Sequence, residues 1–177
     1  MQITFIRHLP TEWNKEQRLQ GRRDIALAAV TEGSRQGIAR NQQQLKALSP
    51  FDMVLTSTLK RTQQTARLYG YSFETEPLLD ELDFGPFEGL PKEKLYEEYG
   101  EQWFEQPRAL ILGESLINLE ERIISFLEKY RDLNNLLVFG HGSWIRAVIS
   151  YFQYGHINNM NKMTVENNEC ITLTFHF

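Results

Sequence analysis

The chain has 177 residues, about the length of one domain, and 41% of them are hydrophobic, enough to enclose a core. With 19 Lys and Arg against 23 Asp and Glu the net charge is −4, which excludes a general basic field for nucleic acid or an anionic membrane; a phosphorylated partner must be met by a local group of cations. One cysteine, Cys170, excludes an internal disulfide and a cysteine zinc site, and no apolar leader or membrane-length run is present, so a soluble protein of the reducing cytoplasm is expected.

In chain order, Gln2–Arg7 carries Ile3, Phe5 and Ile6 and is expected to be a buried strand. Glu32–Leu48 places Ile38, Leu45 and Leu48 on one helical face. Met53–Leu55 reads as a second strand, followed by a helix with Leu59, Thr62, Ala66 and Tyr69 along one side. Tyr71–Glu76 is a candidate third strand, and Lys92–Phe104 repeats Tyr96, Tyr99 and Trp103 at helical spacing. Ser115–Tyr130 gives the plainest helix, with Leu116, Leu119, Ile123, Leu127 and Tyr130 on one stripe. Leu136–Phe139 is a strand, and Ser143–Phe152 a helix packed through Ile145, Val148, Ile149 and Phe152. Residues 171–177 alternate apolar and polar as a strand does. No repeat or linker interrupts the chain, so residues 1–177 are expected to form one domain, and strands interleaved with helices predict an α/β fold with helices on both sheet faces.

In such folds ligands bind beyond the carboxyl ends of the strands. Arg7-His8 leaves the first strand, Ser57 and then Arg61 follow the second, and Gly140-His141-Gly142 follows the Leu136–Phe139 strand. Two arginines and two histidines gathered there make an anion site, since guanidinium forks suit phosphate oxygens. Their charge would keep a neighbouring imidazole neutral and nucleophilic towards phosphorus. Taken singly, the histidines are equally read as capping or packing residues and the arginines as surface charges. A proton donor is also needed, and the run Asp80-Glu81-Leu82-Asp83 offers three carboxylates among which spacing does not choose.

Several blocks resemble the histidine phosphatase (phosphoglycerate mutase-like) superfamily. Arg7-His8-Leu9-Pro10-Thr11-Glu12-Trp13-Asn14 is similar to its Arg-His-Gly-x-Thr-x-x-Asn signature, and Gln20-Gly21-Arg22-Arg23-Asp24-Ile25-Ala26-Leu27 to Gln-Gly-x-x-Asp-x-Pro-Leu. Ser57 to Ala66 resembles Ser-x-Leu-x-Arg-x-x-x-Thr-Ala, and Leu79 to Gly89 resembles Leu-x-Glu-x-x-x-Gly-x-x-Glu-Gly. Gly113-Glu114-Ser115 and Gly140-His141-Gly142 complete the set.

The resemblance implies a three-layer α/β/α sandwich with a mostly parallel central sheet and a short cap insertion around 86–113. It implies His8 as the phosphorylated nucleophile and Glu81 as acid/base. Arg7, Arg61 and His141 would hold and stabilise the phosphoryl group, and Asn14, Gln20, Gly21 and Gly142 would line the substrate. No metal and no cofactor is implied, and the four histidines show no metal-ligand spacing. Leu9 replaces the usual Gly and is expected to reshape the pocket or shield it from water; Ala26 replaces a Pro at little cost.

The expected reaction is hydrolysis of a small phosphorylated metabolite. Mutase-type transfer, dephosphorylation of protein phosphohistidine, a non-catalytic phospho-ligand binder and a nucleotide-binding module at Gly140-His141-Gly142-Ser143-Trp144-Ile145 are the alternatives. Arg22 and Arg23 are candidates for a second anionic group, and Trp13, Trp103 and Phe87 for an apolar leaving group, with loop solvation and core packing as their plainer readings. Cys170, His156 and His176 are expected to be structural, and the oligomeric state is left open.

Overall fold

Alternation along the central strands sorts the core into two. A computed structural model describes residues 1–177. In β1 (Gln2–Arg7) Ile3 and Phe5 face one side and Ile6 the other; in β4 (Asn135–Gly140) Leu136 and Val138 oppose Leu137 and Phe139. The larger core takes Leu116, Leu119, Ile123, Phe126 and Leu127 from α6 (Leu116–Tyr130) and Trp144, Ile145 and Val148 from α7 (Gly142–Tyr154). Phe126 and Trp144 meet edge to face, 5.4 Å between centroids. The smaller core takes Ile38 and Leu45 from α2 (Glu32–Leu48) and Ala66 from α3 (Lys60–Leu68), with Tyr69 just beyond it. Each fully buried aliphatic or aromatic side chain contributes about 1.5–3 kcal/mol, so both faces of the sheet must be covered.

The five strands run in the order β3 (Glu74–Thr75), β2 (Met53–Thr56), β4, β1, β5 (Cys170–Thr174). All pairs are parallel except β5, which runs antiparallel to β1 with Ile6 opposite Cys170. The fold is therefore α/β with a mostly parallel sheet flanked by helices. No helix is long and apolar enough to cross a membrane.

Four local expectations are corrected. The Tyr71–Glu76 strand is only β3, because its ladder covers two residue pairs before Pro77 opens a 3₁₀ turn. The Lys92–Phe104 helix is two, α4 (Lys92–Tyr99) and α5 (Glu101–Glu105), since Gly100 between them takes φ 52°, ψ −130°. The last strand stops at Thr174, after which Phe175 turns into the core. Finally, α1 (Glu12–Lys15) had no apolar stripe to reveal it; a reciprocal capping box between Thr11 and Asn14 starts it.

Leu9 is corrected too. Its side chain is buried in the smaller core beside Ile6, Ile38 and Ala66, and its N–H donates to Thr65 Oγ1 at 3.0 Å. It packs behind the strand ends and does not line a pocket.

Candidate active site

The parallel strands β1, β2 and β4 end side by side, and their next residues converge. His8 follows β1 directly, its N–H bonded to the Gly140 carbonyl at 3.0 Å. Its ring Nδ1 lies 2.7 Å from the Leu9 carbonyl, an acceptor only, so Nδ1 carries the proton and Nε2 keeps its lone pair. Burial, then the charges of Arg61 and Arg7, hold the His8 pKa well below the usual histidine range. The ring is neutral at pH 7.

His141 follows β4 and caps α7, fully buried, with its ring centroid 5.4 Å from that of His8. Its Nε2 lies 2.7 Å from Ser57 Oγ, which lies 2.7 Å from Thr62 Oγ1. Burial and Arg61 again depress its pKa well below the ordinary value.

Arg61 is 1% exposed on the first turn of α3, and its fork donates to the carbonyls of Arg23 at 2.6 Å and Gly21 at 2.7 Å. Arg7 donates from Nη1 to the Val165 carbonyl at 2.5 Å. A Cβ on Gly142 would approach the Arg7 guanidinium to 3.0 Å, which is why glycine stands there. Both guanidinium pKa values are lowered to about 10, chiefly by burial; for Arg7 the next cause is the charge of Arg146. Three buried nitrogens have no partner within the chain: Arg7 Nε, Arg61 Nε and His141 Nδ1. Unsatisfied buried donors are costly, and gathered beside a neutral imidazole they suit an oxyanion.

The three carboxylates left open by spacing are separated by their surroundings. Asp80 accepts from Thr58 N at 2.8 Å and Thr58 Oγ1 at 2.9 Å, and Asp83 accepts from Gly85 N at 2.8 Å. Glu81 alone of the three faces the cavity, its carboxylate accepting from Leu82 N, Ser143 N and Trp144 N at 2.8, 3.0 and 3.1 Å. The last two are first-turn amides of α7, so that helix end is engaged by Glu81; this overturns a dinucleotide cradle at Gly140–Ile145.

A cavity of about 260 Å³ opens over this floor, lined by Arg7, His8, Asn14, Gln20, Gly21, Arg61, Glu81 and Gly142, with His141 behind His8. Asn14 Oδ1 accepts from Thr11 N at 3.0 Å and Gln20 Oε1 from Thr11 Oγ1 at 2.8 Å, so one threonine steadies both amides. Of the three aromatics expected at a pocket, only Trp103 lines it. Trp13 carries the Arg18 guanidinium on its face at 4.0 Å, and Phe87 packs on Tyr99 at 5.8 Å.

Arg22 and Arg23 are likewise turned elsewhere. Arg22 donates to the Glu81 carbonyl at 2.6 Å and pairs with Glu114, while Arg23 pairs with Glu88. Sequence reasoning missed Lys92, Arg146 and Asn161 on the same cavity, together with Phe84, Tyr96 and Phe104. The signal for Arg146 was its i, i+4 spacing from Gly142, which puts both on one face of α7. Cys170 and His156 lie away from the cavity; burial raises the thiol pKa to about 11, and His156 Nδ1 accepts from Asn158 N at 3.2 Å.

A profile of the histidine phosphatase superfamily (branch 1) matches residues 3–176. Over 163 residues, covering 85% of this chain and 74% of the relative, the sequence is 31% identical to the probable phosphoglycerate mutase GpmB of Yersinia enterocolitica. It is 34% identical over 117 residues to the probable 2-carboxy-D-arabinitol-1-phosphatase of Arabidopsis thaliana, spanning 62% of this chain but only 24% of that longer protein. The crystal structure of TTHB049 from Thermus thermophilus superposes with a TM-score of 0.76 at 30% identity, covering 98% of this chain and 93% of that one.

Proposed function

The chain belongs to the histidine phosphatase superfamily, branch 1, and from that premise we propose that it is a metal-independent phosphomonoester hydrolase that carries the phosphoryl group on His8 Nε2. The observation that carries this reading is a neutral, tautomer-locked His8 beside two buried guanidinium groups whose Nε atoms have no partner in the chain. Arg7 and Arg61 supply the charge that stabilises the three equatorial oxygens during transfer.

In the first step the Nε2 lone pair forms the N–P bond as the P–O bond to the alcohol breaks. The departing oxygen takes the proton of the Glu81 carboxyl group. The carboxylate so formed is stabilised by the amides of Leu82, Ser143 and Trp144. In the second step Glu81 removes a proton from water, the hydroxide oxygen bonds to phosphorus, and the N–P bond breaks to return neutral His8 and release phosphate. Hydrolysis is favoured over transfer to a second substrate because the segment from Gly89 to Gly113 is short, leaving little chain to shield a phosphohistidine from water. The cavity, about 260 Å³, suits a small metabolite better than a protein side chain on a folded surface.

The test is rapid acid-free quench of the protein reacting with ³²P-labelled p-nitrophenyl phosphate. Acid-labile, base-stable label should appear on the parent and be absent from His8→Ala, with turnover lower by about 10³-fold or more. A His8→Ala variant that hydrolyses at the parent rate would refute the assignment. Rapid conversion of 3-phosphoglycerate to 2-phosphoglycerate with a bisphosphoglycerate primer would show transfer instead.

A further inference from the structure

Beyond the groups that serve the phosphoryl group, the same cavity presents three more cations: Arg18, Lys92 and Arg146. Arg18 is spoken for, since it stacks on Trp13, donates to the Gly89 carbonyl at 2.8 Å and pairs with Glu16 at 2.9 Å. Lys92 and Arg146 are different. Neither joins any ion pair of the molecule.

Arg146 sits one helical turn beyond Gly142 on α7. Its guanidinium donates to the Met160 carbonyl at 3.2 Å and to Ser143 Oγ and Asn161 Oδ1 at 3.3 Å each. All three are neutral acceptors, so the group is aimed and held but not neutralised. Lys92 opens α4 and faces the cavity from the opposite wall, beside Tyr96. After burial, the charges of Arg7 and Arg146 lower the Lys92 pKa, and Arg146 acts in the same sense on Arg7. Cations that repel one another across a largely desolvated space, with Glu81 the only carboxylate lining it, are destabilising until an anion enters. The phosphoryl group accounts for Arg7 and Arg61 and leaves two charges over.

The geometry points to a second anionic subsite formed by Arg146 and Lys92, making the preferred substrate a phosphomonoester whose alcohol portion bears another acidic group, carboxylate or phosphate. This rests on the hydrolase reading above. A cavity of about 260 Å³ holds both anions only if a skeleton of a few carbons joins them. Trp103 and Phe104 flank that skeleton with apolar surface. The substrate class is thus a short phosphorylated acid or bisphosphate, and neutral alcohol esters are poor substrates.

The experiment compares kcat/KM for matched pairs of small esters: phosphoglycolate against ethyl phosphate for the carboxylate arm, and glycerol 1,3-bisphosphate against glycerol 1-phosphate for the phosphate arm. Parent, Lys92→Gln and Arg146→Gln proteins are each run on every ester. The parent should favour at least one acidic ester over its neutral partner by about 10- to 100-fold, and either substitution should cut that ratio about tenfold. Because the ratio is taken within one variant, a loss of folded protein cancels, and the exposed Lys92 provides the milder substitution. The arm with the larger ratio identifies the acidic group. If the parent hydrolyses both members of each pair equally, or keeps its selectivity through both substitutions, the subsite is refuted while the hydrolase reading stands. If the parent hydrolyses none of the esters, it is the hydrolase reading that fails.

Discussion

On the floor of the cavity, His8, Arg61 and His141 each sit at or within a few residues of a parallel strand end, at most 2% exposed, and carbonyls or hydroxyls fix their ring nitrogens or guanidinium forks. On the opposite wall, Lys92, Tyr96, Trp103 and Phe104 come from two short helices that turn at Gly100, with Tyr96 and Phe104 41% and 37% exposed. The floor is over-determined: moving one of its side chains strips a buried polar group of its partner. The wall is not, since its aromatics hold one another through dispersion and can repack. The contrast places chemistry on the sheet and substrate choice on the 86–113 segment and the outer turns of α7.

The largest test of that division is Arg61→Lys, which keeps the charge but loses the fork that reaches both the Gly21 and Arg23 carbonyls. Steady-state kinetics should show kcat lower by about 10²- to 10³-fold. A loss of less than tenfold would mean that the floor tolerates what only the wall should.

A smaller effect concerns the charge state of the floor. Both imidazoles are held neutral in the folded protein, while in the unfolded chain they bind protons below the ordinary value of 6.5. The folded state therefore binds fewer protons in that range, and stability present above pH 6.5 is lost as the pH falls below it. Each ring contributes a slope of up to about 1.4 kcal/mol per pH unit. Denaturant unfolding between pH 7 and pH 5 should show this decline, with a shallower slope for His141→Asn. Equal slopes in the two proteins would contradict a neutral buried His141.

The smallest effect on catalysis is expected behind the sheet. Leu9→Ala should lower stability by about 2–5 kcal/mol in urea denaturation, because it opens a hole among Ile6, Ile38 and Ala66. The preference between acidic and neutral esters should not change. A shift in that preference would put Leu9 back at the pocket, where its replacement of glycine first suggested it belonged.

These contrasts also explain what the sequence revealed. Strand ends were legible because β1 and β4 announce themselves by a period of two over a few residues, and the next residue in each case is a histidine or its neighbour. Glu81 was not separable from Asp80 and Asp83 by spacing, since that stretch has no regular period and adjacent carboxylates point in different directions; only the block resemblance singled it out. Arg146 was hidden for another reason. It lies on a helix whose apolar face predicts packing, and that the remaining face looks onto the cavity depends on where the 86–113 segment folds back. The turn at Gly100 likewise follows from a backbone conformation that the Tyr96, Tyr99 and Trp103 spacing does not register.

One helix, α7, begins at His141, supports the Glu81 carboxylate through its first amides, makes room for Arg7 at Gly142 and bears Arg146 a turn later. It behaves as a single shaft to which the proton shuttle, the phosphoryl cradle and the outer cation are all bolted. Tilting the shaft would disturb speed and selectivity together, so attempts to retarget this protein by directed evolution should leave α7 intact and randomise α4 and α5.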